Sequence, residues 1–289
     1  MNISKYKLLQ MSETIMHILF FTAACVSVLA VGLICVFLFA NGFPAIQEIG
    51  LLDFLAGEKW KPGNDIYGIM PMIRGSIYTT AGAILFGVPV GILMAVFMAR
   101  FCPAKLYKLL KPAVDLLAGI PSIVYGFFGL IVLVPFIRNN FGGDGQSMLT
   151  ASVLLAIIIL PSLISVSESA LRAVPENYYE GALALGASHE RSVFFTVVPA
   201  AKSGILAAVI LGIGRAVGET MAVMMVVGNQ PRIPDSMLDG VRTLTTNVVM
   251  EMGYAADLHR EALVATAVVL FVFILIINLT FSLVKRRGL

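Results

Sequence analysis

Charge is what this 289-residue chain has least of: only 13% of its side chains are Asp, Glu, Lys or Arg, against about 25% in an ordinary soluble domain. Hydrophobic residues make up 58%, above the usual 45–50% or so, so bilayer rather than water is the expected solvent. The net charge of +3 has no clustered basic face behind it, which excludes nucleic acid as a partner. Cysteine is scarce: Cys25, Cys35 and Cys102 lie in or beside apolar runs, and an odd count without CxxC gives no disulfide framework and no metal-ligand spacing. His17, His189 and His259 are far apart and match no zinc pattern, so all six residues are assigned structural positions. The chain has no HExxH and no GxSxG, and its apolar runs hold no paired Asp. An intramembrane enzyme would therefore lack catalytic groups. A GxxxxGK[ST] loop is also missing, so the chain does not cradle ATP phosphates in the usual way.

Long apolar runs are what the sequence has in place of charge. Six segments, 15–40, 75–99, 116–137, 148–171, 200–228 and 263–284, are long enough to cross a bilayer, which takes about 20 residues. The first is about twice a signal-peptide core and has no clear cleavage site, so it is expected to be retained. If the amino terminus is cytoplasmic, twelve Lys and Arg fall on the inner side: Lys5, Lys7, Arg100, Lys105, Lys108, Lys111, Arg172, Arg191, Lys202, Lys285, Arg286 and Arg287. Seven fall outside: Lys59, Lys61, Arg74, Arg138, Arg232, Arg242 and Arg260. This bias sets both termini in the cytoplasm. The expected fold is one all-α integral membrane domain spanning 1–289, with six transmembrane helices in a multi-pass cell-membrane protein.

Pro89, Pro121, Pro135 and Pro161 fall within the spans, where packed membrane helices tolerate kinks. Gly204, Ala208, Gly212 and Ala216 recur every four residues, a stripe of small side chains suited to close helix packing. In the outer loop 41–74, Trp60 and Tyr67 are expected at headgroup level. The outer loop 229–262 contains "VRTLTTNVVMEMGYAADLHREA". Its helical spacing and charges place it either on the outer surface or partly inside the bundle.

Two stretches carry chemistry. The inner connection "LRAVPENYYEGALALGASHERSVFFTVVPAAKSG" opens a short helix at Pro175, with Glu176 and Glu180 toward its electropositive start and Gly186 as a stop. Its pattern suits a helix lying on the membrane surface or in a groove on a partner protein. The second stretch, "GIGRAVGETMAVMMVVG" (212–228), puts Arg215 and Glu219 about 40° apart on one helix face, near the bilayer middle. A charge there costs about 2.5–3.5 kcal/mol on insertion scales. Pairing offsets part of that cost, either as a structural lock or as part of an ion pathway. Guanidinium stays charged when buried and donates two parallel hydrogen bonds to an oxyanion, so Glu219 is expected to neutralise Arg215 until an anion displaces it. Gly119 and Pro121 bend the third span and bring Ser122 with them, either lining that pathway or as a packing kink.

The inner connection resembles the EAA motif of ABC importer permeases, with Glu180, Ala182, Gly186 and Pro199 in register and Gly181, Thr196 and Val198 departing from it. The resemblance implies a MetI-like bundle in which residues 175–190 are the coupling helix docked on a cytoplasmic ATPase. "GRAVGETMAVMMVVGN", "LAGIPSIVYGFFGL" and "LTTNVVMEMG" are similar to the phosphate-specific permeases of that superfamily, of PstC type. By that resemblance Arg215 and Glu219 belong to the phosphate path. The partners would be a PstA-type permease, a PstB-type ATPase dimer holding ATP and Mg, and an external PstS-type binding protein, with membrane lipid around the bundle. Sulfate, molybdate or phosphonate would suit the same arginine, and the PstA type shares much of both motifs. A proton-coupled secondary transporter using Glu219 is the alternative from another class.

Overall fold

The computed structural model describes residues 3–286. Arg287, and the side chains of Lys5, Lys7, Lys285 and Arg286 counted above as inner charges, lie outside what it describes. Helix α1 (Ile3–Ile49) is followed by the short α2 (Leu51–Ala56) and a two-stranded hairpin of β1 (Trp60–Lys61) and β2 (Ile66–Tyr67). Then come α3 (Met70–Val96), α4 (Ala104–Gly119), α5 (Ser122–Phe128), α6 (Val134–Phe141) and α7 (Met148–Arg172). The second half holds α8 (Glu176–Ala184), α9 (His189–Ser192), α10 (Val198–Ala200), α11 (Lys202–Gly218), α12 (Met221–Val226), α13 (Leu244–Glu251) and α14 (Asp257–Arg286). Five-residue π turns, Phe97–Phe101, Gly129–Leu133 and Val193–Val197, extend α3, join α5 to α6 and join α9 to α10.

Among the described residues five helical stretches are long and apolar enough to cross a membrane: Glu13–Ile49, Met70–Phe101, Ser122–Phe141, Met148–Arg172 and Asp257–Thr280. A sixth crossing results if His189–Ala200 and Lys202–Gly218, bent by 68° at Ala201, count as one. The molecule is an all-α, multi-pass membrane bundle.

Helix α7 is its axis. Ser147 caps it by accepting from the Thr150 amide, and its core residues Leu154, Leu155, Ile158 and Ile159 are almost wholly buried. The small-residue stripe of α11 lies against it, with Gly204 so close to Ala170 that an added Cβ would come within 2.3 Å of that side chain. Small residues permit such approach in a bilayer, where dispersion rather than water exclusion drives helix packing. Along residues 13–40 helix α1 stays almost entirely exposed, and it touches α14 toward its C-terminal end, where Phe39 meets Phe271 edge-on at 6.2 Å.

Trp60 and Tyr67 do not face headgroups. Both are buried, at 5% and 3% exposure, edge to face against each other and beside His259. The cause is a long-range polar contact: Trp60 Nε1 donates to Glu251 Oε2 at 2.8 Å. The long connection 229–262 folds into the bundle, with Leu244, Thr245, Thr246 and Asn247 of α13 all buried.

Candidate functional site

The "GIPS" and "RAVGET" stretches meet. Helix α4 ends at Gly119, Ile120 and Pro121 are extended, and α5 restarts at Ser122. Helix α11 ends at Gly218, Glu219 is extended (φ −69°, ψ 126°), and α12 restarts at Met221. Helices α5 and α12 then run side by side. A Cβ at Gly126 would sit 2.8 Å from both Ala222 Cα and Met225 Sδ, and Gly129 faces Val226. That register sets the two breaks at one level. Each break leaves backbone groups outside regular helix pairing, which membrane helices tolerate only where protein or a polar cavity serves them.

Arg215 lies in the last turn of α11, half-buried. On the other break, the Tyr125 hydroxyl donates to the Leu117 carbonyl at 2.8 Å, in the last turn of α4. Eleven residues beyond Arg215, the Val226 carbonyl accepts from the Ser147 amide at the start of α7.

Arg215 and Glu219 do not share a continuous helix, and among the described residues no ion pair joins them. The four-residue spacing implied one face. Instead the chain straightens at Glu219, whose Oε1 accepts from the Ala222 amide at 3.2 Å and serves the first turn of α12. The guanidinium is thus left without a carboxylate partner among the described residues. Ser122, at the first position of α5, is half-buried at the same level, so the structure brings all three sequence-selected residues to the two breaks.

Helix α13 closes over this point. Thr243 and Thr246 form a reciprocal capping box, the Leu244 amide donates to Ser76 Oγ at 2.9 Å, and Thr245 Oγ1 donates to the Glu219 carbonyl at 3.3 Å. A buried network holds α13 in place. Arg242 donates to Glu251 Oε1, to Asn247 Oδ1 and, at 3.0 Å, to the Asn229 carbonyl. His259 and Trp60 both bond Glu251 Oε2. Sequence reading missed this network. Its one local signal was an acid, Glu251, inside the otherwise apolar "VVMEMG" run.

The EAA-like residues sit apart from the breaks, on the short helix α8 and the turn after it. Glu180 is exposed, Ala182 half-buried, and Gly186 turns the chain with φ +84°. Tyr178, Leu183 and Leu185 are exposed at 53%, 39% and 92%, an uncovered apolar edge on a helix outside the bundle.

Residues 87–287 match the family of binding-protein-dependent transport system inner membrane components. The chain is 36% identical over 280 residues, 93% of its length and 91% of the relative's, to a probable ABC transporter permease protein, YqgH, of Bacillus subtilis (strain 168). It is 35% identical over 288 residues, 92% and 88% of the two lengths, to the phosphate transport system permease protein PstC of Mesorhizobium japonicum. Its fold is similar to that of the inward-facing MetNI methionine ABC transporter, with TM-score 0.60 and 20% identity over 79% of this chain and 99% of that one. A MetI-like helical bundle and motif-level similarity along most of the chain agree, and the protein belongs to the binding-protein-dependent transport system inner membrane component family, the ABC transporter permeases.

Proposed function

We propose that this chain is one permease subunit of an ATP-driven importer of inorganic phosphate. The observation that carries the reading is Arg215: a half-buried guanidinium in the last turn of α11, beside two helix breaks at one level, without a carboxylate partner among the described residues. A planar fork of charged donors suits a tetrahedral oxyanion and stays charged at depth. The PstC relative gives phosphate as the anion. Ser122 and the broken-helix backbone would add hydrogen bonds, and Glu219 would set the local charge as the anion arrives and leaves.

The chain supplies half of the pathway, and a PstA-type permease supplies the other half. Both termini lie in the cytoplasm. There residues 175–190, with Glu180, Ala182 and Gly186 at the contact, dock on a PstB-type ATPase dimer that holds ATP and Mg. A PstS-type binding protein delivers phosphate from outside. ATPase closure moves the coupling segment, the bundles rock, and the anion is released inward. The exposed apolar edge of α8 supports that docking. Uptake of labelled phosphate into vesicles holding the complex, with ATP enclosed or omitted, tests the proposal. Uptake is expected only with ATP and is expected to be lost in Arg215→Gln. Uptake that ignores ATP and follows a proton gradient would sink it.

A further inference from the structure

Glu168 is a buried acid that the phosphate path does not use. It lies near the inner end of α7 with its side chain 3% exposed. Three donors from two helices converge on it. Tyr107 Oη, on α4, donates to Oε1 at 2.7 Å, and Arg172 Nε, one turn further along α7, donates to the same oxygen at 2.8 Å. Lys111 Nζ, also on α4, reaches Oε2 at 3.4 Å. The Arg172 guanidinium lies over the Tyr107 ring, 4.6 Å from its centroid, so the donors also hold one another.

This joint continues in both directions. Toward the ATPase side, Arg172 Nη2 donates to the Met98 carbonyl at 2.8 Å, in the π turn ending α3. Two residues on, Arg100 pairs with Glu176, the first residue of α8, at 2.8 Å and also reaches the Leu171 carbonyl. Toward the membrane, α4 runs 16 residues from Ala104 to Gly119, about 24 Å. Its far end is the break where the Leu117 carbonyl is held by Tyr125, at the level of the break that follows Arg215. Pro112 interrupts α4 next to Lys111, within its anchored base, so the arm that carries movement to the break is the stretch of about two turns beyond it.

We infer that Glu168 is a positioning residue for energy coupling: it fastens the base of α4 to the α7–α3–α8 corner, so that displacement of α8 reaches the break that ends α4, at the level of the one following Arg215. A static joint would be served as well by apolar packing. A carboxylate that collects oriented donors from separate elements holds them in one geometry while the whole corner moves. The role presupposes that the chain couples to an ATPase as proposed above.

The test is the ratio of phosphate imported to ATP hydrolysed, in vesicles holding the full complex and its binding protein. Glu168→Gln keeps the volume but removes the charge that gathers Lys111 and Arg172, and Tyr107→Phe removes one hydrogen bond and keeps the ring. In Glu168→Gln the ratio is expected to fall roughly tenfold, the upper part of what a coupling residue carries, with ATP hydrolysis close to wild type. Tyr107→Phe should fall in the same direction by a smaller factor, and it decides the matter if Glu168→Gln does not assemble. Equal losses of import and hydrolysis, or an unchanged ratio, would show Glu168 to be a packing residue and overturn the inference while the importer reading stands. Wild-type uptake that needs no ATP would overturn both.

Discussion

The Thr245 hydroxyl donates to the backbone carbonyl of Glu219, 26 residues earlier, at 3.3 Å. This bond fastens helix α13 to the point where α11 ends and α12 begins, so the connection 229–262 and the candidate anion site are parts of one structure. Thr245→Val keeps the shape and removes the donor. A net hydrogen bond contributes about 0.5–1.5 kcal/mol, so the thermal midpoint of the purified complex should fall only slightly. Phosphate uptake should fall by a larger factor, because the break is no longer held at one geometry. A stability loss without a change in uptake would place Thr245 outside the pathway.

Arg215→Lys tests the fork directly. Lysine preserves the charge but offers a compact ammonium in place of two parallel donors. Uptake at limiting phosphate should drop by about tenfold or more, since hydrogen bonds to charged groups contribute about 1.5–3 kcal/mol. Glu219→Gln separates two roles. Its amide oxygen still accepts from the Ala222 amide, so α12 should form normally and the complex should assemble. If Glu219 answers the charge of Arg215 as the anion comes and goes, its uptake or its dependence on ATP must change. Unchanged values for both would leave Glu219 as the cap of α12 alone.

Much of this architecture was legible in the residues, and what was not has a physical cause. The apolar runs mark the helices because the bilayer demands length and hydrophobicity together. Pro175 and Gly186 bracket α8 by local backbone chemistry, and Pro121 marks the break before Ser122 because proline restricts its predecessor and lacks an amide proton. The break at Glu219 had no such sign. Only Gly218 and a thin helical spacing were visible, and the spacing of Arg215 and Glu219 argued for continuity. One contact there, Ala222 to Glu219, is local, but Thr245 to Glu219 spans 26 residues and exists only after the chain has folded. Trp60 is the same case, since its partner Glu251 lies 191 residues away.

The close approach of α5 and α12 gives a steric prediction. A methyl group at Gly126 would lie 2.8 Å from the Cα of Ala222, and backbone cannot withdraw as a side chain can. Gly126→Ala should therefore cost about 1–3 kcal/mol, as overpacking does, and reduce uptake by parting the two broken helices. Gly186→Ala is the control. No atom lies within 4 Å of the added Cβ, and only the φ of +84° resists it, a penalty of about 1–2 kcal/mol for one left-handed residue. That variant should keep the bundle intact in thermal unfolding but lose ATPase in co-purification, because the turn after α8 is what it strains.

The turn before α13 answers to acid. Asp239 Oδ2 accepts from the Asp235 and Ser236 amides at 2.9 Å each. These bonds, with the nearby Arg232, hold its carboxyl below the usual range. A carboxyl with a depressed folded-state pKa contributes stability above its unfolded pKa and loses it as pH falls through the folded value. The unfolded value is about 3.9, so the turn should stay closed at neutral pH and loosen below about pH 4. Amide hydrogen exchange at Asp235 and Ser236, corrected for its intrinsic pH dependence, would report the opening. Asp239→Asn can place its one carbonyl oxygen where Oδ2 accepts both bonds, but it has no charge to strengthen them and cannot titrate, so its exchange should be faster at neutral pH and flat across the acid range. An acid response that persisted in Asp239→Asn would assign the opening to another group.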